Sequence, residues 1–166
     1  MIAQRAALDY PQRVSRLVLM GSPTTLVNNE AVMEALKEML ALEDPISPDF
    51  VREFQESTIH HPVPEEFLAG LVSESLKVPA RVWRDYMEGV ALTVDDTARL
   101  GEIDAPTLIV WGEQDAFLER EEQDRRAAAM PEATLKVYPE TGHAVHWERP
   151  GWVVRDLEAF MKNTPA

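Results

Sequence analysis

The sequence predicts an α/β chain: about three parallel strands with flanking helices, plus a block of helices inserted after the first strand. Three observations predict it. Short apolar runs stand at Val14–Met20, Thr107–Trp111 and Leu135–Tyr138. A helical pattern at Arg120–Met130 separates the last two, the arrangement of a βαβ crossover. Between the first two, residues 24–96 carry helical patterns and no strand alternation.

In chain order, Met1–Tyr10 is predicted as a helix, because Ile2, Ala3, Ala6, Ala7 and Tyr10 recur at helical spacing. No Ser, Thr, Asp or Asn precedes it as a cap, and Pro11 stops it. Val14–Met20 (VSRLVLM) then suits a strand covered on both faces, and Gly21-Ser22-Pro23 breaks it. An uncapped helix feeding a buried strand reads as the second half of a βαβ unit. The inserted helices are expected at Glu30–Leu42, Pro48–Thr58, Pro64–Leu76 and Pro79–Leu92, three of them opened by proline, which the first helical turn tolerates. A closing amphipathic helix is expected at Gly151–Met161, burying Trp152, Val153, Leu157, Phe160 and Met161. Residues 1–23 and 97–166 therefore form the sheet-bearing core, and residues 24–96 a helical cap that shapes a pocket and excludes water.

Composition narrows the function. The chain has 166 residues, 45% hydrophobic, enough for a one-domain core. Its formal net charge of −13 disfavours nucleic acid and acidic lipid surfaces as partners. Zero cysteines exclude disulfides, thiolate metal sites and thiol nucleophiles, and are compatible with a reducing cytoplasm. No apolar run approaches the roughly 20 residues of a membrane span, and the N-terminus lacks a secretory signal pattern. The expected partner is a small-molecule substrate, in a cytoplasmic setting.

The chemistry concentrates in residues 105–150. Asp115 follows one strand and His143 the next, and parallel strands joined by a helix deliver their following loops to one sheet edge. Acid then histidine supplies two members of a Ser–His–Asp triad in the chain order Ser…Asp…His. His143 would serve as general base, and Asp115 would fix its tautomer and stabilise the imidazolium. Glu113, two residues earlier, is the rival acid. His143 and His146 have zinc-ligand spacing, but no third ligand is apparent, so neither a metal nor a cofactor is expected. His60 and His61 are expected at a helix end. Trp111 and Trp152 read as core, while Trp83 and Trp147 are candidates to line a pocket. Ser22 lies past the first strand, towards the same edge, but proline follows it, and a nucleophile needs a sharp strand-to-helix turn with nearby amide donors.

The segments IAQRAALDYPQRVSRLVLMGSP, APTLIVWGEQDAF and YPETGHAVHWERP, in this order around a cap, resemble the C-terminal portion of an α/β-hydrolase. The resemblance is to the capped esterase, lactonase, dehalogenase and carbon–carbon hydrolase group, and with the cap it covers the whole chain. It implies that Asp115 is the triad acid and His143 the base. The family's G-x-S-x-G nucleophile turn would precede MIAQRAALDYP and has no match here, nor do its first five strands or the loop donating an oxyanion-hole amide.

The primary expectation is thus a truncated serine-type hydrolase of small esters, lactones or similar acyl bonds, nearly inactive alone. Two rivals stand beside it: a non-catalytic binding or assembly module that keeps the cap pocket, and a half-length esterase using Ser22 or a nucleophile from another chain. The outer edge of strand 14–20, apolar and uncharged over Leu17–Met20, is expected to pair with a second copy as a homodimer.

Overall fold

The computed structural model describes residues 1–27, 29–91 and 93–164. Its sheet has three parallel strands in the order β1-β2-β3: β1 (Leu17–Met20), β2 (Thr107–Gly112) and β3 (Ala133–Tyr138). Leu17 pairs with Thr107, and Thr107 in turn with Ala133, so the strands start level and all point to one edge. Every residue of β2 is buried, as expected of a strand flanked on both sides and covered on both faces. Edge strand β3 alternates in exposure, with Thr134 and Lys136 open to solvent.

Alternate side chains of β2 feed two cores. Ile109 packs with Ala7 and Leu8 of α1 (Ile2–Asp9), with Leu17 and Leu19 of β1, and with Met130 after α6 (Arg120–Ala129). Leu108 and Val110 face the other way, against Tyr138, Val145 and Val153, with Trp152, Leu157 and Phe160 of the last helix, Pro150–Asn163, completing that layer. Helices therefore cover both faces of the sheet, as right-handed crossovers between parallel strands demand.

Between β1 and β2 lie α2 (Glu30–Leu40), α3 (Pro48–Ser57), α4 (Glu65–Ser75) and α5 (Ala80–Tyr86), the last running into a π-helical segment, Met87–Ala91. Their own apolar centre holds Leu36, Met39, Met87, Phe54 and Trp83. The inserted segment enters and leaves the sheet region at one place, where Thr25 and Asp95 form an antiparallel bridge. Buried Asp96, next to that bridge, takes the guanidinium of Arg5, which ties α1 to the exit.

The predicted elements are present with shifted ends. β1 covers only Leu17–Met20, because Pro11–Arg13 form a 3₁₀ turn and pairing with β2 begins where the Leu17 N–H meets the Pro106 carbonyl (2.9 Å). The fourth inserted helix leaves α geometry at Met87, and Leu92, its predicted end, lies outside the described residues. A further short helix, α7 (Val145–Glu148), stands between β3 and the closing helix, α8 (Pro150–Asn163), and was not anticipated. Among the described residues no helix is long and apolar enough to cross a membrane.

The strand ends meet the following loops at very close range. A Cβ added to Gly112, the last residue of β2, would stand 2.1 Å from the Gly142 carbonyl oxygen and 2.3 Å from that of Thr141. Both obstacles are backbone, so neither can rotate away. Gly112→Ala is therefore expected to destabilise the chain by about 2 kcal/mol or more, in the range of overpacked cores. Chemical denaturation compared with Gly151→Ala, whose added Cβ meets nothing within 4 Å, checks this.

Candidate active site

Asp115 sits in the turn after β2, and its carboxylate is fully buried (0% side-chain exposure). Oδ1 accepts the backbone N–H groups of Phe117 (2.9 Å) and Leu118 (3.1 Å), an Asx turn that fixes the carboxylate plane. Oδ2 is left for His143, whose Nδ1 lies 2.9 Å away. An ionised carboxylate can only accept, so Nδ1 carries the proton and Nε2 keeps its lone pair. Phe117 stands edge-on to the imidazole at 5.3 Å between ring centroids, a second restraint on the ring.

Backbone bonds hold the two loops in register. The Glu113 N–H donates to the Tyr138 carbonyl and the Gln114 N–H to the Thr141 carbonyl, each at 2.9 Å, which extends the β2–β3 ladder into the turns. Glu113 itself is exposed and makes no side-chain bond to His143 among those described; Asp115 is the acid placed on the ring.

His143 borders a cavity of about 360 Å³. The remaining lining is largely apolar, with Leu26, Val32, Met39, Phe54, Met87 and Phe117 among it, and about half of it comes from the inserted segment, residues 24–96. Asn29 pins their start to the acid loop: its Oδ1 caps α2 at the Val32 N–H (3.0 Å), while its Nδ2 donates to the Phe117 carbonyl (2.9 Å).

Ser22 borders the same cavity. Its Oγ accepts from the Met1 ammonium at 3.3 Å, and its carbonyl accepts from the Arg126 guanidinium. Burial lowers the Arg126 pKa to about 10, and the same group donates to Gln4 Oε1 at 2.6 Å. Burial, then the charge of Arg126, lowers the Met1 ammonium as well. Glu122, raised chiefly by burial, accepts the Thr24 N–H at 3.1 Å. The bonds of Ser22 thus run to Met1 and Arg126, not to His143.

The other candidates scatter. His60 and His61 follow the end of α3, as predicted, and meet the core through their backbone N–H groups. Trp83 packs edge-on to Phe50 and Phe54, and Trp147 to Phe67; neither lines the His143 cavity. The reason is local: Trp83 is taken up by the apolar centre of the inserted helices and Trp147 by Phe67. Two residues escaped the sequence reading. Phe117 was legible in principle as the aromatic two residues past the acid, whereas Glu148, described below, carries no spacing signal.

His146, on α7, tilts against Trp147 at 5.2 Å between ring centroids. Desolvation, then the charge of His143, lowers its pKa. The folded chain therefore binds this proton less tightly than the unfolded one, and stability falls as pH drops through about 6.5. His146→Gln should flatten the loss of melting temperature between about pH 7 and about pH 5.5. Thermal melts that keep the same slope would assign that loss to other groups.

Residues 1–150 match the family model described as the alpha/beta hydrolase fold. A 2-hydroxy-6-oxo-6-phenylhexa-2,4-dienoate hydrolase of Burkholderia cepacia is 30% identical over 176 aligned positions, covering 95% of this chain and 57% of that protein. A 2-hydroxy-6-oxononadienedioate/2-hydroxy-6-oxononatrienedioate hydrolase of Comamonas testosteroni is equally similar, with the same coverage of each chain. The chain thus spans less than three-fifths of these relatives, at 57%. The crystal structure of a hydrolase from Pseudomonas aeruginosa PA01 superposes with a TM-score of 0.81 over 96% of this chain and 60% of its own, at 22% identity, which is a likeness of fold. With its parallel sheet, helices on both faces and the family model matched over residues 1–150, the chain belongs to the alpha/beta hydrolase fold family.

Proposed function

We propose that this chain supplies the acid–base pair and the substrate-covering helices of a serine-type hydrolase acting on small, largely apolar acyl compounds. The observation that carries the reading is the buried Asp115 carboxylate 2.9 Å from His143 Nδ1, with that imidazole bordering the apolar cavity. In this arrangement His143 Nε2 takes the proton of a hydroxyl nucleophile as it attacks a carbonyl, then returns it to the leaving group. Asp115 holds the tautomer and stabilises the imidazolium. The helices of residues 24–96 act as the lid, keeping water from the reacting carbonyl.

The substrate class follows from the lining and from the relatives. Those relatives are named as hydrolases of 2-hydroxy-6-oxo dienoates, one phenyl-bearing and one a dicarboxylate. No lysine or arginine is among the residues lining the cavity, whereas Phe54, Tyr86 and Phe117 are. A second carboxylate would lose water there and meet only the Met1 ammonium, which already donates to Ser22 Oγ. An ester, lactone or vinylogous ketone with an apolar or aryl acyl group fits better.

No G-x-S-x-G occurs in the 166 residues. The nucleophile that His143 serves is therefore assigned to a segment outside them, brought to the sheet edge at which His143 lies. The purified chain is expected to hydrolyse short activated esters at trace rates only, since losing triad members costs on the order of 10⁴–10⁶ in rate. Extending it at Met1 with the strand and G-x-S-x-G turn of one of its relatives should raise turnover, and His143→Ala in the extended chain should remove it. An ordinary kcat from the unextended chain, lost on Ser22→Ala, would make Ser22 the nucleophile. Ligand binding with no turnover in either form would favour a binding module.

The sheet edge supports a proposal about assembly. The N–H groups of Leu17 and Gly21 bond to β2, so alternation turns those of Val18 and Met20 outward, at the end of the strand order. The predicted edge of residues 14–20 shortens to Leu17–Met20, and we assign it to pairing with another strand, a second copy in the isolated chain. Light scattering should find a dimer or larger species; a monomer at high concentration with fast amide exchange at Val18 and Met20 would refute self-pairing.

A further inference from the structure

Glu148, the last residue of α7, is buried at 6% exposure, and its carboxylate accepts from backbone amides on two separate segments. The Gly142 N–H donates to Oε1 at 3.0 Å and to Oε2 at 2.9 Å. From the inserted segment, just past α3, the N–H groups of His60 and His61 donate to Oε2 at 3.2 Å and 2.6 Å. One side chain thus joins the residue immediately before His143 to the inserted segment, which supplies about half of the cavity wall. Two further contacts lie alongside. The Ala144 N–H, immediately after His143, donates to the Thr58 carbonyl at 3.0 Å. A Cβ on Gly142 would stand 2.7 Å from His60 N, 2.9 Å from Glu148 Oε1 and 3.1 Å from the Thr58 carbonyl oxygen, so only glycine permits this approach.

We propose that Glu148 is a positioning residue for His143, clamping the inserted helices to the His143 loop so that cavity wall and imidazole keep one geometry. This rests on the reading of His143 as the base. A carboxylate suits the task chemically. It has acceptor sites for several amides at once, and bonds from N–H groups to an ionised oxygen are shorter and stronger than neutral ones. Glutamine at the same place has one accepting oxygen and turns an NH₂ towards amide donors. Aspartate falls short by a methylene. Because His143 is flanked on both sides by residues tied to the inserted segment, loosening Glu148 releases that segment from Gly142 and leaves the Ala144 N–H on the Thr58 carbonyl to join it to the His143 loop.

The test is NMR on the 166-residue chain, comparing Glu148→Gln with Glu132→Gln, an exposed change just ahead of β3 that should leave both signals unchanged, and with Val153→Ala, which weakens the β2–α8 core at a distance. Two signals are read: amide exchange at His60, His61 and Gly142, and the low-field Nδ1–H resonance of His143 bonded to Asp115. Glu148→Gln is expected to speed the three amides by roughly tenfold or more, the equivalent of a lost charge-assisted bond, and to broaden or remove the Nδ1–H resonance. Val153→Ala should lower the melting temperature and leave that resonance in place. If Glu148→Gln does not fold, Gly142→Ala breaks the same clamp from the other side and should give the same two changes. An unchanged Nδ1–H resonance in Glu148→Gln, or the same loss in Val153→Ala, overturns the positioning role. A parent chain lacking the resonance overturns the acid–base reading and the positioning role with it, and amide protection that depends on Glu148 would then leave a purely structural clamp.

Discussion

Because β2 is hydrogen-bonded along both edges and buried on both faces, the point at which it ends is the least adjustable place in the molecule. The turn carrying Asp115 follows at once, anchored by the Glu113 and Gln114 amides on the β3 side. The Gly112 backbone lies so near the Thr141 and Gly142 carbonyls that the loop after β3 has almost no freedom to drift. A parallel sheet brings successive strand ends to one edge; this close backbone contact converts that rough juxtaposition into an Asp–His bond of 2.9 Å.

Around that fixed point the polar groups are divided by task. Both oxygens of Asp115 are committed, one to its own turn and one to His143, so the carboxylate has a single orientation. Glu148 performs a similar service with amides alone, and Asn29 joins α2 to the acid loop from the other side. The inserted helices are therefore tied to both loops of the site, although they have an apolar centre of their own. Such an arrangement couples the shape of the cavity to the placement of the imidazole.

The surroundings of Ser22 follow a different logic. Buried Arg126 meets neutral oxygens there, the Ser22 carbonyl and Gln4 Oε1, and desolvation depresses its pKa to about 10. These bonds fasten α1, the end of β1 and α6 to one another. The Ser22 carbonyl belongs to that fastening, while its hydroxyl, beside the cavity, accepts from the Met1 ammonium.

Much of this was readable from residue order. Apolar runs bounded by Pro and Gly mark β1, β2 and β3, and the order strand–Asp–helix–strand–His requires Asp115 and His143 to share an edge, because parallel strands leave no other place for them. Composition and proline spacing likewise determine a helical block between residues 24 and 96. Other features depend on contacts between distant parts of the chain. The start of β1 moved to Leu17 because the Pro106 carbonyl, eighty-nine residues further along the chain, is where pairing begins. Trp83 and Trp147 turned to aromatic partners that periodicity does not name. Glu148 looks in sequence like any surface acid, two residues ahead of a proline. Only folding brings the amides of His60 and His61 to its carboxylate, and a carboxylate buried among backbone N–H groups has no local pattern, since its partners are chosen by tertiary approach and not by neighbouring residues.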